Sequence, residues 1–109
     1  MNNERIQQLI RFVQEEPNEP FNVYALAMEF LASQPEQASI YFNQLLTEHP
    51  DYLPTYYHAA ALYANRNERS KAADLYEKGI ELAHVQKNQK TLLELQRAKQ
   101  AFEDDEDEW

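Results

Sequence analysis

The chain has 109 residues and carries 19 Asp and Glu against 10 Lys and Arg, a net charge of −9 with neutral histidines. That size fits one domain able to bury roughly two thirds of its unfolded surface. Its 43% hydrophobic and 12% aromatic content excludes a wholly disordered acidic chain. The shortage of cations argues against nucleic acid as a partner, and the absence of cysteine excludes a disulfide framework, a thiolate nucleophile and a Cys-based zinc site.

Only one glycine is present, and the five prolines fall between apolar-periodic segments, which predicts an all-α chain broken by short turns. The start, Met1-Asn2-Asn3-Glu4-Arg5, lacks the cationic and apolar regions of a secretory signal, and no stretch approaches the roughly 18–20 apolar residues of a membrane span. The expectation is a soluble cytoplasmic protein without a membrane partner.

In chain order, Ile6, Leu9, Ile10 and Val13 mark one face of a first helix over 1–16, stopped by Pro17. Pro20 opens a second helix with Phe21, Tyr24, Leu26, Ala27, Phe30 and Leu31. Ser33 and Glu36 have capping-box spacing and open a third through Ala38, Phe42, Leu45 and Leu46, closed by Pro50. Pro54 starts a fourth, with Tyr56, Ala59, Ala60 and Tyr63, ending at Asn65-Arg66-Asn67. A fifth carries Ala72, Leu75, Tyr76, Gly79, Ile80 and Leu82 and breaks at Gln86-Lys87-Asn88. Asn88 caps a sixth over 88–102 with Leu92, Leu95, Ala98 and Phe102. Residues 103–108 are six adjacent acids, which predicts a disordered tail over 103–109 ending on Trp109.

The chain also repeats itself. Ala38 and Ala72, Phe42 and Tyr76, and Leu46 and Ile80 stand 34 residues apart. Val23 and Tyr56, Leu26 and Ala59, Ala27 and Ala60, and Phe30 and Tyr63 stand 33 apart, so one residue is missing between Phe30 and Ala38. A helix–turn–helix period of about 34 residues is a solenoid signature.

On these residues the chain resembles the tetratricopeptide repeat family, including its small stand-alone bacterial members. The second unit reads Tyr56, Ala59, Ala60, Tyr63, Ala72, Tyr76 and Gly79 at the family positions; the first reads Val23, Leu26, Ala27, Phe30, Ala38, Phe42 and Leu45, closing on Pro50. Val23, Leu45, Ala59 and His84 depart from the pattern. The resemblance implies an all-α, right-handed helical-hairpin solenoid forming a single domain over 1–102. Its parts are a capping helix (1–16), repeat 1 (20–50), repeat 2 (53–86) and a capping helix (88–102).

The resemblance also implies non-catalytic binding of a peptide or partner protein, as an adaptor or assembly factor, on the first helix of each unit. The inner positions carried over are Tyr24, Met28 and Leu31 in the first unit and Tyr57, Ala61, Ala64 and Asn65 in the second. The competing structural expectation is that the capping helices cover them. The family's clamp for a terminal carboxylate uses Lys, Arg and Asn, whereas here only Asn65 among these positions is polar. The alternatives are self-association, as a monomer or weak homodimer through an exposed solenoid end, and more remotely an accessory subunit of an enzyme.

Nothing in the residue pattern points to catalysis or to a cofactor. His49, His58 and His84 lie apart with no metal-ligand spacing, so no metal site is expected. Glu77 and Glu81 share a helix face, but Asp74 and Lys78 beside them mark it as an ordinary charged surface. A single glycine cannot make a phosphate loop.

The charge is unevenly spread. Residues 1–65 hold eight acids and two bases, residues 66–102 five acids and eight bases, and residues 103–109 six acids. Two expectations follow: the tail folds back over the basic fifth and sixth helices and competes with an acidic partner, or it only solubilises the chain.

Overall fold

The structure, a computed structural model, describes residues 3–107, with side chains described as far as Asp105. Six helices follow one another: α1 (Asn3–Glu15), α2 (Pro20–Leu31), α3 (Pro35–Glu48), α4 (Pro54–Asn65), α5 (Arg69–Val85) and α6 (Gln89–Asp107). No strand occurs among the described residues. Pro20, Pro35 and Pro54 are each the first residue of a helix, where a missing N–H costs nothing and the fixed φ favours the helical turn.

The turns explain the missing residue. Two residues past the ends of α4 and α5 stands a residue in the left-handed region, Asn67 (φ 60°) and Lys87 (φ 59°). At the first, Glu68 N–H donates to Tyr63 C=O at 2.9 Å and Asn67 N–H to Ala64 C=O at 3.1 Å; at the second, Asn88 N–H donates to Ala83 C=O at 3.0 Å and Lys87 N–H to His84 C=O at 3.1 Å. Both are complete Schellman ends. In the first repeat the carbonyl equivalent to that of Tyr63 is Phe30 C=O, and Gln34 N–H reaches it at 2.8 Å from four residues on instead of five. Ala32 stays right-handed there, so the deletion is a turn without its left-handed residue.

This shorter turn also displaces the expected cap. Gln34, not Ser33, precedes α3, and no side chain caps the helix: Pro35 presets its first turn, and Ser39 Oγ donates to Glu36 C=O at 2.8 Å. The Asn88 cap is present, with Thr91 N–H donating to its Oδ1 at 3.0 Å.

The chain divides into two compact units, Met1–Thr55 and Tyr56–Trp109, a finer division than the single domain over 1–102 that the sequence predicts. Helical-repeat chains divide this way because each helix pair meets mainly its neighbours in sequence. In the first unit α2 packs between α1 and α3, burying Val23, Leu26, Ala27 and Phe30 from α2, Ala38, Phe42 and Leu45 from α3, and Ile6 and Leu9 from α1. Arg5 of α1 pairs with Glu29 of α2 at 3.0 Å. In the second unit Tyr56, Ala59, Ala60 and Tyr63 of α4 and Ala72, Leu75 and Tyr76 of α5 are buried with Leu92 and Leu95 of α6.

The departures at Val23 and Leu45 have a physical reason. Gly79 approaches α4 so closely that a Cβ there would lie 2.8 Å from Tyr56 Cβ. The equivalent places of the first unit hold Val23 and Leu45, both wholly buried. One unit therefore uses a large residue on its first helix and none on its second, while the other exchanges the sizes, and both keep a filled core.

The expected disordered tail is corrected over 103–107. α6 continues to Asp107, and three of its acids find partners, two one turn back on α6 itself and one on α5. Lys99 pairs with Glu103 at 3.5 Å, Gln100 donates to Asp104 at 2.9 Å, and Arg69 of α5 lies 4.0 Å from Asp105. Arg69 also donates to Phe102 C=O at 2.8 Å, placing a cation near the helix C-terminus, where the dipole favours it. A tail without contacts is excluded for Glu103–Asp105. Trp109 lies outside the described residues.

Candidate functional site

The four inner positions predicted in the second unit converge on one cleft of about 430 Å³. α4 contributes Tyr57, Ala61, Ala64 and Asn65, spaced along one helix face. α5 contributes Arg69 and Tyr76, and α6 contributes Ala98, Ala101, Phe102 and Asp105. The capping helix thus forms one wall of the cleft without filling it. Four alanines leave the space; three aromatic rings bound it.

Tyr57 is 38% exposed, so part of its amphipathic side chain is open to a ligand. Its ring meets His58 edge-on at 5.2 Å. Burial holds His58 below its usual pKa, so the imidazole is neutral near pH 7. Tyr76 contacts Phe102 at 5.5 Å and is raised above its usual pKa, by burial first and by Tyr57 second, so it stays a neutral phenol. The Arg69 guanidinium lies over the Phe102 ring, 4.1 Å from its centre. The contacts of Tyr76 and Arg69 with Phe102 hold the α6 wall against α5.

Arg69, Tyr76 and the α6 residues are not among the predicted site positions. Arg69 and Phe102 are 33 residues apart, and no local spacing pairs them. Lys99 and Gln100, each four residues before an acid, are the one sequence signal that α6 extends far enough to supply Asp105.

The predicted positions of the first unit, Tyr24, Met28 and Leu31, are half-buried and do not line this cleft. Tyr24 meets Tyr52 edge-on at 5.7 Å. Burial raises the pKa of both phenols; for Tyr52, the neighbouring Tyr24 and Glu19 add to the effect. Among the described residues no group of three His, Asp or Glu side chains is arranged to hold a metal ion. Asp74 and Lys78 form their expected pair at 3.0 Å, and Glu77 and Glu81 are exposed beside them. No described helix is long and apolar enough to cross a membrane.

Solved structures carry the same architecture. A crystal structure of a tetratricopeptide repeat domain protein from Salinibacter ruber is 42% identical in sequence, with a TM-score of 0.75, over 78% of this chain and 96% of that one. A solution NMR structure of a tetratricopeptide repeat domain protein from the same organism gives 42% and 0.75 over 81% of this chain and 90% of that one. No family model matches the chain, and no curated protein matches it. The 34-residue period, the helix pairs with small residues at their close approach, and this likeness establish an all-α helical-repeat fold: the chain belongs to the tetratricopeptide repeat family.

Proposed function

We propose that this chain is a non-catalytic interaction module, a cytoplasmic adaptor or assembly factor, that takes a peptide or a segment of a partner protein in the cleft of its second unit. The observation that carries this reading is the convergence of Tyr57, Ala61, Ala64 and Asn65 on one open cleft of about 430 Å³, large enough for one or two side chains. Tyr24, Met28 and Leu31 are proposed as a contact surface of the first unit by itself. The test compares what the wild-type chain and its Tyr57→Ala variant capture from lysate. Selective loss of a partner with the variant supports the cleft; identical capture removes it.

Self-association is the second reading, favoured by Val85 (73% exposed) and Leu93 (41% exposed) on the packed helices α5 and α6. Sedimentation over a range of concentrations decides it. A monomer throughout excludes it, and a dimer lost on Val85→Glu supports it.

A further inference from the structure

We infer that the second-unit cleft selects a basic peptide segment, a Lys or Arg side chain meeting the exposed Asp105 carboxylate at the rim with its stem along the alanines of the cleft. This rests on the reading of the cleft as a partner site and adds the chemistry of what enters it.

Two opposite charges line the cleft, and they are not equally available. Arg69 is held three ways: Nη2 donates to Phe102 C=O at 2.8 Å, the guanidinium covers the Phe102 ring at 4.1 Å, and Nη1 faces Asp105. Asp105 has a weaker hold. Its contact with Arg69 spans 4.0 Å, the outer limit of an ion pair, and its side chain is 75% exposed. That carboxylate retains acceptor sites for an incoming cation.

The acidic end of α6 favours the same choice. Asp105 lies within the run of six acids at 103–108, and α6 holds Glu103 to Asp105 in a defined helical register. An anionic group would have to displace Asp105 while approaching its acidic neighbours. A Lys or Arg instead meets opposite charge at the rim, and its methylene stem has the alanine floor and the exposed Tyr57 side chain to lie against.

The test uses the full chain, ¹⁵N-labelled, with two short synthetic peptides of equal length, one alternating Lys with Leu and one alternating Glu with Leu. The expected result is that the Lys peptide shifts the amides of Ala61, Ala64, Ala98 and Ala101 and the Glu peptide does not. Asp105→Asn is expected to weaken Lys-peptide binding about threefold to fivefold. The charge-matched control Glu81→Gln, on the exposed face of α5, leaves binding within about twofold, and far-UV circular dichroism verifies that both variants keep their helices. Three results overturn the inference. Equal weakening by the two substitutions means diffuse attraction to an acidic chain. Shifts of the same amides by the Glu peptide retain the cleft as a partner site but remove its preference for cations. Silence with both peptides removes the basic ligand and leaves the Tyr57→Ala capture to decide the wider reading.

Discussion

Replacing Gly79 by alanine sets two effects of similar size against each other. In a helix interior the change relieves the entropic cost of glycine and gains about 0.8–1 kcal/mol. At this position the new methyl meets Tyr56 Cβ at 2.8 Å, Leu95 Cδ1 at 3.1 Å and Tyr56 Cγ at 3.3 Å. The leucine methyl ends a flexible side chain and can turn away. Tyr56 Cβ is fixed to the backbone of α4, so only separation of α4 and α5 relieves the contact. Carbon atoms rest about 3.5–4.0 Å apart, which requires a shift of about 0.7 Å or more through a packed core and costs about 2–3 kcal/mol. The net expectation is a loss of about 1–2 kcal/mol, or roughly 5–15 °C in Tm for a chain of this size. Urea and thermal unfolding followed at the helical circular dichroism band measure it. A Gly79→Ala variant more stable than wild type by about 1 kcal/mol, the propensity gain alone, refutes the close approach.

Three further substitutions test separate parts of the structure. The Thr55 hydroxyl is buried without a hydrogen-bond partner, so Thr55→Val is expected to stabilise by about 1 kcal/mol in urea unfolding; a loss instead indicates a bonded hydroxyl. Arg69→Gln removes the cation over Phe102 and the contact with Asp105, and is expected to cost about 1–2 kcal/mol and to accelerate hydrogen exchange of the amides after Phe102. Unchanged protection there means that α6 holds its end without α5. His58 is pushed below its usual 6.5 by burial, so at mildly acidic pH the unfolded chain binds a proton that the folded chain does not. Its contribution is therefore absent well above 6.5 and destabilising as pH falls through and below it. His58→Asn is expected to flatten the stability difference between pH ~7.5 and ~5; an unaltered difference assigns the dependence elsewhere.

The repeated part of the fold is legible because it is periodic. The 33- and 34-residue spacings locate both helix pairs, and even the missing residue is visible before the turn at Gln34 explains it. Pro20 and Pro54 mark two helix starts from their position alone, since proline cannot sit deeper. Ser33 misleads because a capping box describes one helix end in isolation, whereas this turn is set by its length and by Pro35. The acidic run misleads for a related reason: like charges repel unless cations are brought to them, and Arg69 arrives from another helix. The same limit applies to the cleft. Its α4 side follows from one helix's spacing, while its α6 wall depends on how α5 and α6 pack, which is recorded in no local pattern.

Whether partners enter the second-unit cleft is decided by ¹H–¹⁵N shift mapping of the chain with a partner recovered in the Tyr57→Ala comparison. The largest changes are expected on Tyr57, Ala61, Ala64, Asn65, Ala98 and Ala101. Changes confined to the charged face of α5 around Asp74, Glu77 and Glu81, with the cleft silent, would contradict entry there.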